Sequence, residues 1–313
     1  MDLGIAIVSW NVCELLAACL TAAFADVDRA RMEAGVWVVD NASGDGSADM
    51  VRERFPKARL IANDHNAGFA AANNQALRAM GFSPTADDTR PTAAVLFLNP
   101  DSIVKPGALK ALVDFMHATR DAGVAGANLL NADGSPQECA FDFPGFWQAL
   151  FDLFPPRGRL GRLAQSRLNG RYPRRFFERV EPFRIGHPLG AAFLVRSEAI
   201  AQVGLMDEAY HMYCEEIDWV WRMRRVGWAA YCVPQAQVIH HGGQSTSQIR
   251  AESLVNLWRS RKRLYDTYRS PLTTRLVGRL VHIAMKRRAR RSGEARQGLH
   301  SEIARIWARS RNW

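Results

Sequence analysis

Two aspartates stand where apolar runs of the sequence end. Asp40 follows Val36–Val39, and Asp101 closes the triplet Asn99-Pro100-Asp101 after Val95–Leu98. A carboxylate fixed at the end of a strand can hold a hard divalent cation, with diphosphate oxygens and water completing the shell. It can also accept hydrogen bonds from a nucleobase imide or a ribose hydroxyl, and both segments are compatible with simple Asx turns. Taken singly, each aspartate therefore leaves a binding role and a turn role open.

Neutral polar side chains occupy similar places. Ser9-Trp10-Asn11 ends the first apolar run, Asn41 follows Asp40, and Asn66 and Gly68 lead into a helical pattern that carries Asn73. The first backbone N–H groups of a helix lack partners within the helix and can contact a sugar or a phosphate. These residues are weak indicators individually, but they suit a nucleotide site.

Three carboxylates crowd the start of a later helical pattern, Glu215-Glu216-Ile217-Asp218. An ionised carboxylate there can act as general base toward a hydroxyl group. The alternative is an ordinary acidic first turn in which Asp218 pairs with Arg222 at i,i+4. Spacing alone does not choose among Glu215, Glu216 and Asp218.

A histidine pair follows the run Gln237–Ile239. Alternation from Val238 puts His240 on the same strand face as Val238, which makes it a better candidate than His241 for a metal or phosphate contact. A single such histidine is also compatible with a structural role.

Strand-like and helix-like patterns alternate over the first 130 residues. Strands are predicted at Leu3–Ser9, Val36–Val39, Arg59–Ala62, Ala93–Leu98 and Val124–Ala127, and helices at Val12–Phe24, Ala48–Phe55, Phe69–Met80 and Pro106–Thr119. This alternation predicts an α/β fold with a mostly parallel sheet flanked by helices. In such sheets ligands bind beyond the carboxyl ends of the strands, where the polar residues above are found.

Composition excludes several classes of protein. The 313 residues, 48% of them hydrophobic, can bury a large core. Five cysteines without a C-x-x-C pair indicate neither a disulfide framework nor a cysteine zinc site. The glycine motifs of dinucleotide dehydrogenases and P-loop enzymes do not occur. No secretory signal or spanning segment is recognisable, so the chain is expected to stay on the cytoplasmic side.

The order of these motifs resembles glycosyltransferase family 2, the inverting enzymes of GT-A fold, and in particular its rhamnosyltransferase-like branch, which builds bacterial surface polysaccharides. The likeness runs from Ile5 to about Tyr265. It rests on residues 7–11, 38–43, 66–69 with Asn73, 98–101, 190–191 leading to 204–208, 215–219 and His240-x-x-Gly243-x-Ser245. The resemblance implies a transferase domain over 1–253, with a variable acceptor-side insertion at 141–186, and a basic helical tail over 254–313.

The resemblance also implies a role for each candidate. Asp40 would bind the donor nucleotide, and Asp101 and His240 would hold Mg²⁺ or Mn²⁺. Glu216 would be the catalytic base, with Glu215 and Asp218 as competitors. The remaining nucleotide contacts would come from Ser9, Trp10, Asn11, Asn41, Asn66, Gly68, Asn73 and Asn99. Two departures stand out, because the family motif has an acid where this chain has Asn99 and an Asp where it has Glu216.

The implied reaction is one displacement with inversion. A sugar would pass from a nucleoside diphosphate, such as dTDP-rhamnose or a UDP-sugar, to a surface polysaccharide or a lipid-linked saccharide. A single displacement needs no covalent intermediate on the enzyme, by the geometry that governs inverting carboxylate sites.

The chain ends in a basic segment. From Val255 to Trp313 there are sixteen Lys and Arg against three acids, so this segment carries +13 and the rest of the chain −3. Apolar residues recur at helical spacing within Thr273–Met285, and Lys286–Arg291 contributes five cations. Such a helix suits an anionic membrane surface, which predicts peripheral membrane contact through 273–291 at the inner face of the membrane. Alternatively, its apolar side packs on protein and its charges are solvated.

Two other functions compete. A nucleic-acid binder would use the basic tail, but no recognition motif is present and the body is acidic, so no nucleic-acid partner is expected. A catalytically inactive, scaffold-like transferase fold is favoured by Asn99 and Glu216, the two departures from the family motifs.

Overall fold

The structure is a computed structural model that describes residues 1–83, 91–242, 248, 250–290 and 294–308. It divides the chain into two compact units. The first comprises Met1–Phe141, Arg174–His211 and Glu215–Gln248, and the second comprises Asp142–Pro173, Met212–Cys214 and Ile249–Trp313.

The first unit is built around a mixed sheet. Its strands and those of a small second sheet are β1 Leu3–Ser9, β2 Ala34–Asp40, β3 Arg59–Ala62, β4 Ala94–Leu98, β5 Ser102–Val104, β6 Ala122–Leu130, β7 Ala140–Phe141, β8 Phe183–Ile185, β9 His187–Pro188, β10 Ala192–Arg196 and β11 Ala229–His240. The main sheet has the order β3-β2-β1-β4-β10-β6-β11-β5, and β8 also pairs with β11. Strands β1 to β4 are mutually parallel, as are β6 and β11, and β10 lies antiparallel between β4 and β6.

The helices are α1 Cys13–Ala30, α2 Ser47–Arg54, α3 Phe69–Met80, α4 Ala108–Ala118, α5 Phe146–Leu153, α6 Ser197–Val203, α7 Glu215–Arg225, α8 Arg250–Tyr268, α9 Pro271–Ala289 and α10 Glu294–Ala308. Each strand-to-helix connection returns the chain to the amino end of the next parallel strand, so the carboxyl ends of β1, β2, β3, β4, β6 and β11 share one edge. This edge of the sheet carries the candidate site.

The predicted fold class is confirmed: the sheet is mostly parallel and flanked by helices. Leu3–Ser9, Arg59–Ala62 and Phe69–Met80 have the predicted bounds, whereas β6 and α1 extend beyond theirs. The segments Ala229–Val233 and Gln237–His240 belong to one strand, β11. An irregularity between Val233 and Gln237 accommodates Pro234, which cannot donate to the ladder.

The second unit has its own helical core. Val277, Val281 and Met285 of α9 are buried together with Trp258 of α8 and Trp307 of α10. The indole of Trp307 donates to the Trp258 carbonyl at 3.1 Å, and the hydroxyl of Tyr265 donates to the Gly145 carbonyl at 2.7 Å. Residues 142–173 and the three carboxyl-terminal helices therefore belong to one packed structure. Among the helices of the described residues, none is long and apolar enough to span a bilayer.

The close approach of Gly68, in the turn before α3, to His211 can be tested by replacing the glycine with alanine. Gly68 has φ +87°, and a Cβ at this position would lie 2.4 Å from the carbonyl oxygen of His211. Gly68→Ala should therefore lower the free energy of unfolding by at least about 2 kcal/mol, through left-handed strain and overpacking. Urea denaturation monitored by circular dichroism measures the change.

Gly44→Ala is the matched control, because a Cβ there has no atom within 4 Å in the described structure. It should change stability by less than about 0.5 kcal/mol. Equal losses in the two variants would contradict the proposed close approach of Gly68 to His211.

Candidate active site

Asp40 and Ser9 end neighbouring parallel strands and face each other in register. Asp40 is 3% exposed, and one of its carboxylate oxygens, Oδ2, accepts the backbone N–H of Ser43 at 2.9 Å. The other oxygen, Oδ1, and the hydroxyl of Ser9 are buried and have no hydrogen-bond partner among the described residues. Each buried polar group without a hydrogen bond lowers the free energy of unfolding by about 1–3 kcal/mol. A ligand with both a hydrogen-bond donor and an acceptor could satisfy this pair.

The loops after β1 and β2 are tied together. Asn11, at φ 51°, donates its N–H to the Ser43 hydroxyl at 2.9 Å and accepts the Gly44 N–H through its side chain at 2.8 Å. Asp45 accepts from the N–H groups of Cys13 and Ser47, which joins the starts of α1 and α2. Trp10 lies between β1 and Asn11 and is partly exposed. These contacts hold the two loops next to Asp40 in one arrangement.

Other candidate nucleotide residues make contacts within the protein. The side chain of Asn41 donates to the Gly68 carbonyl at 3.4 Å and accepts from Asn63 at 2.9 Å. Asn66 accepts the Gly68 N–H at 3.0 Å, and Asn73 donates to the carbonyl of Phe69, one turn back, at 3.0 Å. These four residues, predicted as ligand contacts, therefore shape the turn that begins α3.

The end of β4 and the end of β11 bring Asp101 and His240 together. Strand β5 pairs antiparallel with β11, so that Ser102 lies opposite His240. Nε2 of His240 is 3.4 Å from Oδ1 of Asp101 and 3.5 Å from Nδ2 of Asn99. Asp101 and His240 are buried, at 6% and 7% exposure. The predicted partnership of two residues 139 positions apart is thus present in the geometry.

This pair fits a divalent cation. Two ligands at about 2.1 Å from an octahedral ion lie roughly 3 Å apart, close to the observed Asp101–His240 separation. No cluster of three or more metal-binding side chains occurs among the residues that the structure describes. The protein would supply one carboxylate and one imidazole, and the rest of the shell would come from ligand oxygens and water.

Glu216 is the second residue of α7 and lies beside the same edge. A Cβ added to Gly190 would make an ordinary van der Waals contact with the carboxyl carbon of Glu216, at 3.5 Å, so this carboxyl group lies next to Gly190. The next residue, Ala191, accepts the Asn99 N–H through its carbonyl at 2.8 Å. Residues 190–191 therefore lie between Glu216 and the Asn99–Asp101 turn and contact both.

Burial controls the protonation of the two glutamates. Desolvation raises the pKa of Glu216 to about 7. The pKa of Glu215 is raised well above its ordinary value by desolvation and by the neighbouring charge of Glu216. Within the described structure, Oε2 of each side chain is buried without a hydrogen-bond partner. Burial therefore opposes full ionisation of these two carboxyl groups at neutral pH, although both lie in the first turn of a helix.

Asp218 is held differently. Its Oδ2 accepts from Nε of Arg222 at 2.9 Å, the i,i+4 pair that the sequence allowed. The same guanidinium donates to the carbonyls of Val203 and Leu205 at 2.6 and 2.7 Å. The Asp218–Arg222 pair therefore joins α7 to the end of α6.

Three polar residues outside the predicted site residues support the site. Gln137 contacts the ring of His240 at 2.7 Å, Asn63 contacts Asn41, and Asn74 holds the backbone of Met206 through two hydrogen bonds. Asn63 follows the predicted strand Arg59–Ala62 directly and Asn74 lies in the predicted helix, so both were visible as polar residues, but nothing in a single sequence marks Gln137. Gly243 and Ser245 of the predicted histidine motif lie outside the described residues.

Comparison with known proteins agrees with this geometry. The model of the family described as Glycosyl transferase family 2 matches residues 4–202. In two strains of Mycobacterium tuberculosis, a protein named N-acetylglucosaminyl-diphospho-decaprenol L-rhamnosyltransferase is 31% identical over 277 residues. The alignment covers 82% of this chain and 85% of the relative.

Solved structures share the fold. GalNAc-T7, crystallised with UDP, GalNAc and Mn²⁺, superposes with a TM-score of 0.58 at 13% identity, over 90% of this chain and 51% of that one. Residues 1–349 of S. aureus TarS superpose with a TM-score of 0.50 at 12% identity, over 98% and 90% of the two chains. At these identities the likeness extends to the GT-A fold alone. With the family match and the 31% identical relative, it follows that this chain belongs to glycosyltransferase family 2 and is a glycosyltransferase.

Proposed function

We propose that this protein transfers a deoxyhexose, L-rhamnose, from a thymidine or uridine diphosphate donor to a saccharide carried on a polyprenyl diphosphate, with inversion at the anomeric carbon. The name of the 31% identical relative supports the sugar and the lipid-linked acceptor. The observation that carries the proposal is the gathering of Ser9, Asp40, Asp101, His240 and Glu216 at the carboxyl edge of one sheet. A transfer assay with dTDP-rhamnose and a short-chain N-acetylglucosaminyl diphosphate lipid tests it.

The unpaired oxygens of Asp40 and Ser9, at the ends of β2 and β1, indicate which nucleobase the donor carries. Oδ1 of Asp40 can only accept and the Ser9 hydroxyl can donate, so the pair matches an imide, in which an N–H lies next to a carbonyl. Thymine and uracil present this pattern. Cytosine does not, because its ring nitrogen at the same place carries a lone pair.

The diphosphate is proposed to lie between the nucleotide pocket and the Asp101–His240 pair. A divalent cation bound there would neutralise charge on the departing nucleoside diphosphate. Asp101 and His240 would hold it with two ligands, while Asn99 contributes a neutral amide to the same turn. Four of the predicted nucleotide residues would act on the donor only through the turn before α3, whose shape they set: Asn41, Asn66, Gly68 and Asn73.

Glu216 is the proposed general base. Its carboxyl group lies beside Gly190, whereas Asp218 is occupied by Arg222. Glu215 is less suited, because burial and the charge of its neighbour disfavour its ionised form more strongly. Glu216 would take the proton of the acceptor hydroxyl as that oxygen attacks the anomeric carbon from the face opposite the diphosphate.

The helical unit offers a membrane-facing surface, which we define as the exposed side of α9. Its apolar members are Leu272, Leu276 and Ile283, which are 66%, 37% and 44% exposed. The cations Arg275, Arg279, Lys286, Arg287 and Arg290 are exposed around them. The predicted apolar stripe is divided, since Val277, Val281 and Ala284 are buried in the helical core. Apolar groups among cations suit an anionic leaflet, which supports peripheral membrane contact through this part of 273–291. Arg291 lies outside the described residues.

Removing the base should slow transfer without weakening donor binding. Glu216→Gln should lower kcat by about 10²–10⁴, the usual contribution of a general base. In the wild type, log kcat/KM should rise with pH, bend near pH 7 and level off above it, because burial places the pKa of Glu216 at about 7 and only the ionised form accepts a proton. Steady-state rates from pH 5 to 9 measure both effects.

Glu53→Gln, on the exposed side of α2, is the control and should leave rates unchanged. If Glu215→Gln removes activity while Glu216→Gln retains it, the assignment of the base is wrong.

The nucleotide pocket predicts a selective loss. Asp40→Asn should weaken binding of dTDP and UDP by about tenfold or more, because an amide NH₂ or a neutral oxygen replaces a charged acceptor of the imide N–H. Isothermal titration calorimetry with dTDP, UDP, CDP and GDP measures this, and the wild type should prefer the first two. Asp49→Asn, an exposed residue of α2, is the control. Equal affinity of the wild type for CDP and dTDP would count against the proposed base contact.

The membrane-facing surface is tested by flotation. The wild type should float with vesicles of phosphatidylcholine and phosphatidylglycerol but not with phosphatidylcholine alone, and less in high salt. The triple variant Leu272→Ser, Leu276→Ser, Ile283→Ser should lose most of this binding.

Leu163→Ser with Leu168→Ser removes two leucines of similar exposure elsewhere and should float like the wild type. Unchanged flotation of the triple variant would assign the exposed side of α9 to another role.

A further inference from the structure

Gln137 lies behind the imidazole of His240. It follows the turn Asn131–Ser135 at the end of β6, and its backbone N–H donates to the Leu129 carbonyl at 2.9 Å. Its side chain is partly buried and makes two contacts with His240, one to the ring and one to the backbone carbonyl. None of the roles assigned above requires a glutamine at this position.

The orientation of the Gln137 amide is fixed by atoms that cannot change role. Asn131 donates through Nδ2 to the carbonyl of Pro136 at 3.4 Å and to the Ser135 hydroxyl at 2.9 Å, which turns its Oδ1 toward Gln137. Nε2 of Gln137 donates to that Oδ1 at 3.0 Å and to the carbonyl of His240 at 3.3 Å. Oε1 of Gln137 is thereby directed to the ring of His240.

The contact with the ring sets the tautomer of His240. Oε1 of Gln137 lies 2.7 Å from Nδ1, and an amide oxygen can only accept, so Nδ1 carries the hydrogen. In the neutral ring the lone pair is then on Nε2, the nitrogen that faces Asp101 at 3.4 Å. Two electron-rich atoms face each other there, an arrangement that a shared cation stabilises.

We propose that Gln137 is a positioning residue that holds His240 in the Nδ1–H tautomer and so presents the Nε2 lone pair to a divalent cation beside Asp101. The inference rests on the proposed function only for the identity of the cation site. In this proposal, residues 131–137 orient the imidazole of His240 before any ligand binds. Replacing the acceptor with an apolar group removes the reason for Nδ1 to carry the hydrogen.

The tautomer is measured first, in the protein without added metal. Side-chain ¹⁵N spectra of histidine-labelled protein distinguish Nδ1–H from Nε2–H, and His240→Asn identifies the signal. The wild type should show the Nδ1–H form, and Gln137→Met should shift the ring toward Nε2–H. Gln137→Glu keeps an acceptor at Oε and should restore the Nδ1–H signal. A wild-type ring with hydrogen on Nε2, or a ring unchanged in Gln137→Met, overturns the proposal.

Mn²⁺ binding is measured next, by electron paramagnetic resonance in the presence of saturating dTDP. Gln137→Met should weaken Mn²⁺ by about 10–100-fold, the usual effect of removing the partner of a ligating histidine, and Gln137→Glu should recover most of it. Affinity for dTDP without metal should stay at the wild-type value in both variants, which excludes a general loss of structure. Retained Mn²⁺ affinity in Gln137→Met overturns the proposal, and neither readout depends on whether sugar transfer is observed.

Discussion

The pairing of β5 with the end of β11 is the constraint on which the candidate site depends. Only three residues of β5 take part, yet their register places Ser102 opposite His240 and thereby holds Asp101 beside the imidazole. The same turn is fixed from the other side, because the N–H of Asn99 donates to the carbonyl of Ala191. Moving either strand by one residue would turn its side chains to the opposite face and separate the two candidate ligands.

The cost of the site lies in its buried, unpaired polar atoms. Ser9 and Asp40, at the ends of β1 and β2, and Glu215 and Glu216, at the start of α7, each bury an oxygen without a hydrogen-bond partner in the described structure. A stable core would avoid such groups, since each costs about 1–3 kcal/mol when its hydrogen bond is not made. Other buried unpaired atoms occur elsewhere in the described structure, for example in Asn128 and Asn256. Those of Ser9 and Asp40 lie where α/β sheets bind ligands, which favours a binding site in which a donor nucleotide supplies the missing partners.

Much of this was predictable from the sequence, for a physical reason. Apolar runs that end in Asp40 and Asn99-Pro100-Asp101 mark parallel strands and their carboxyl ends, and those ends meet whatever the intervening loops do. Strand β5 was not predicted, because three residues carry too little pattern. Gln137 was not predicted, because its role arises from a turn meeting a strand end 103 positions later. Contacts between residues so far apart in the chain leave no pattern in a single sequence. The choice of His240 over His241 needed only the alternation of side chains along one strand.

The departure at Asn99 agrees with the tautomer inferred for His240. Nδ2 of Asn99 lies 3.5 Å from Nε2 of the ring, and an amide N–H is compatible with a lone pair on that nitrogen. With one carboxylate and one neutral imidazole, a divalent cation would keep a net positive charge toward the diphosphate. Its affinity for the protein alone would be modest for the same reason, so binding of the cation and of the nucleotide would reinforce each other.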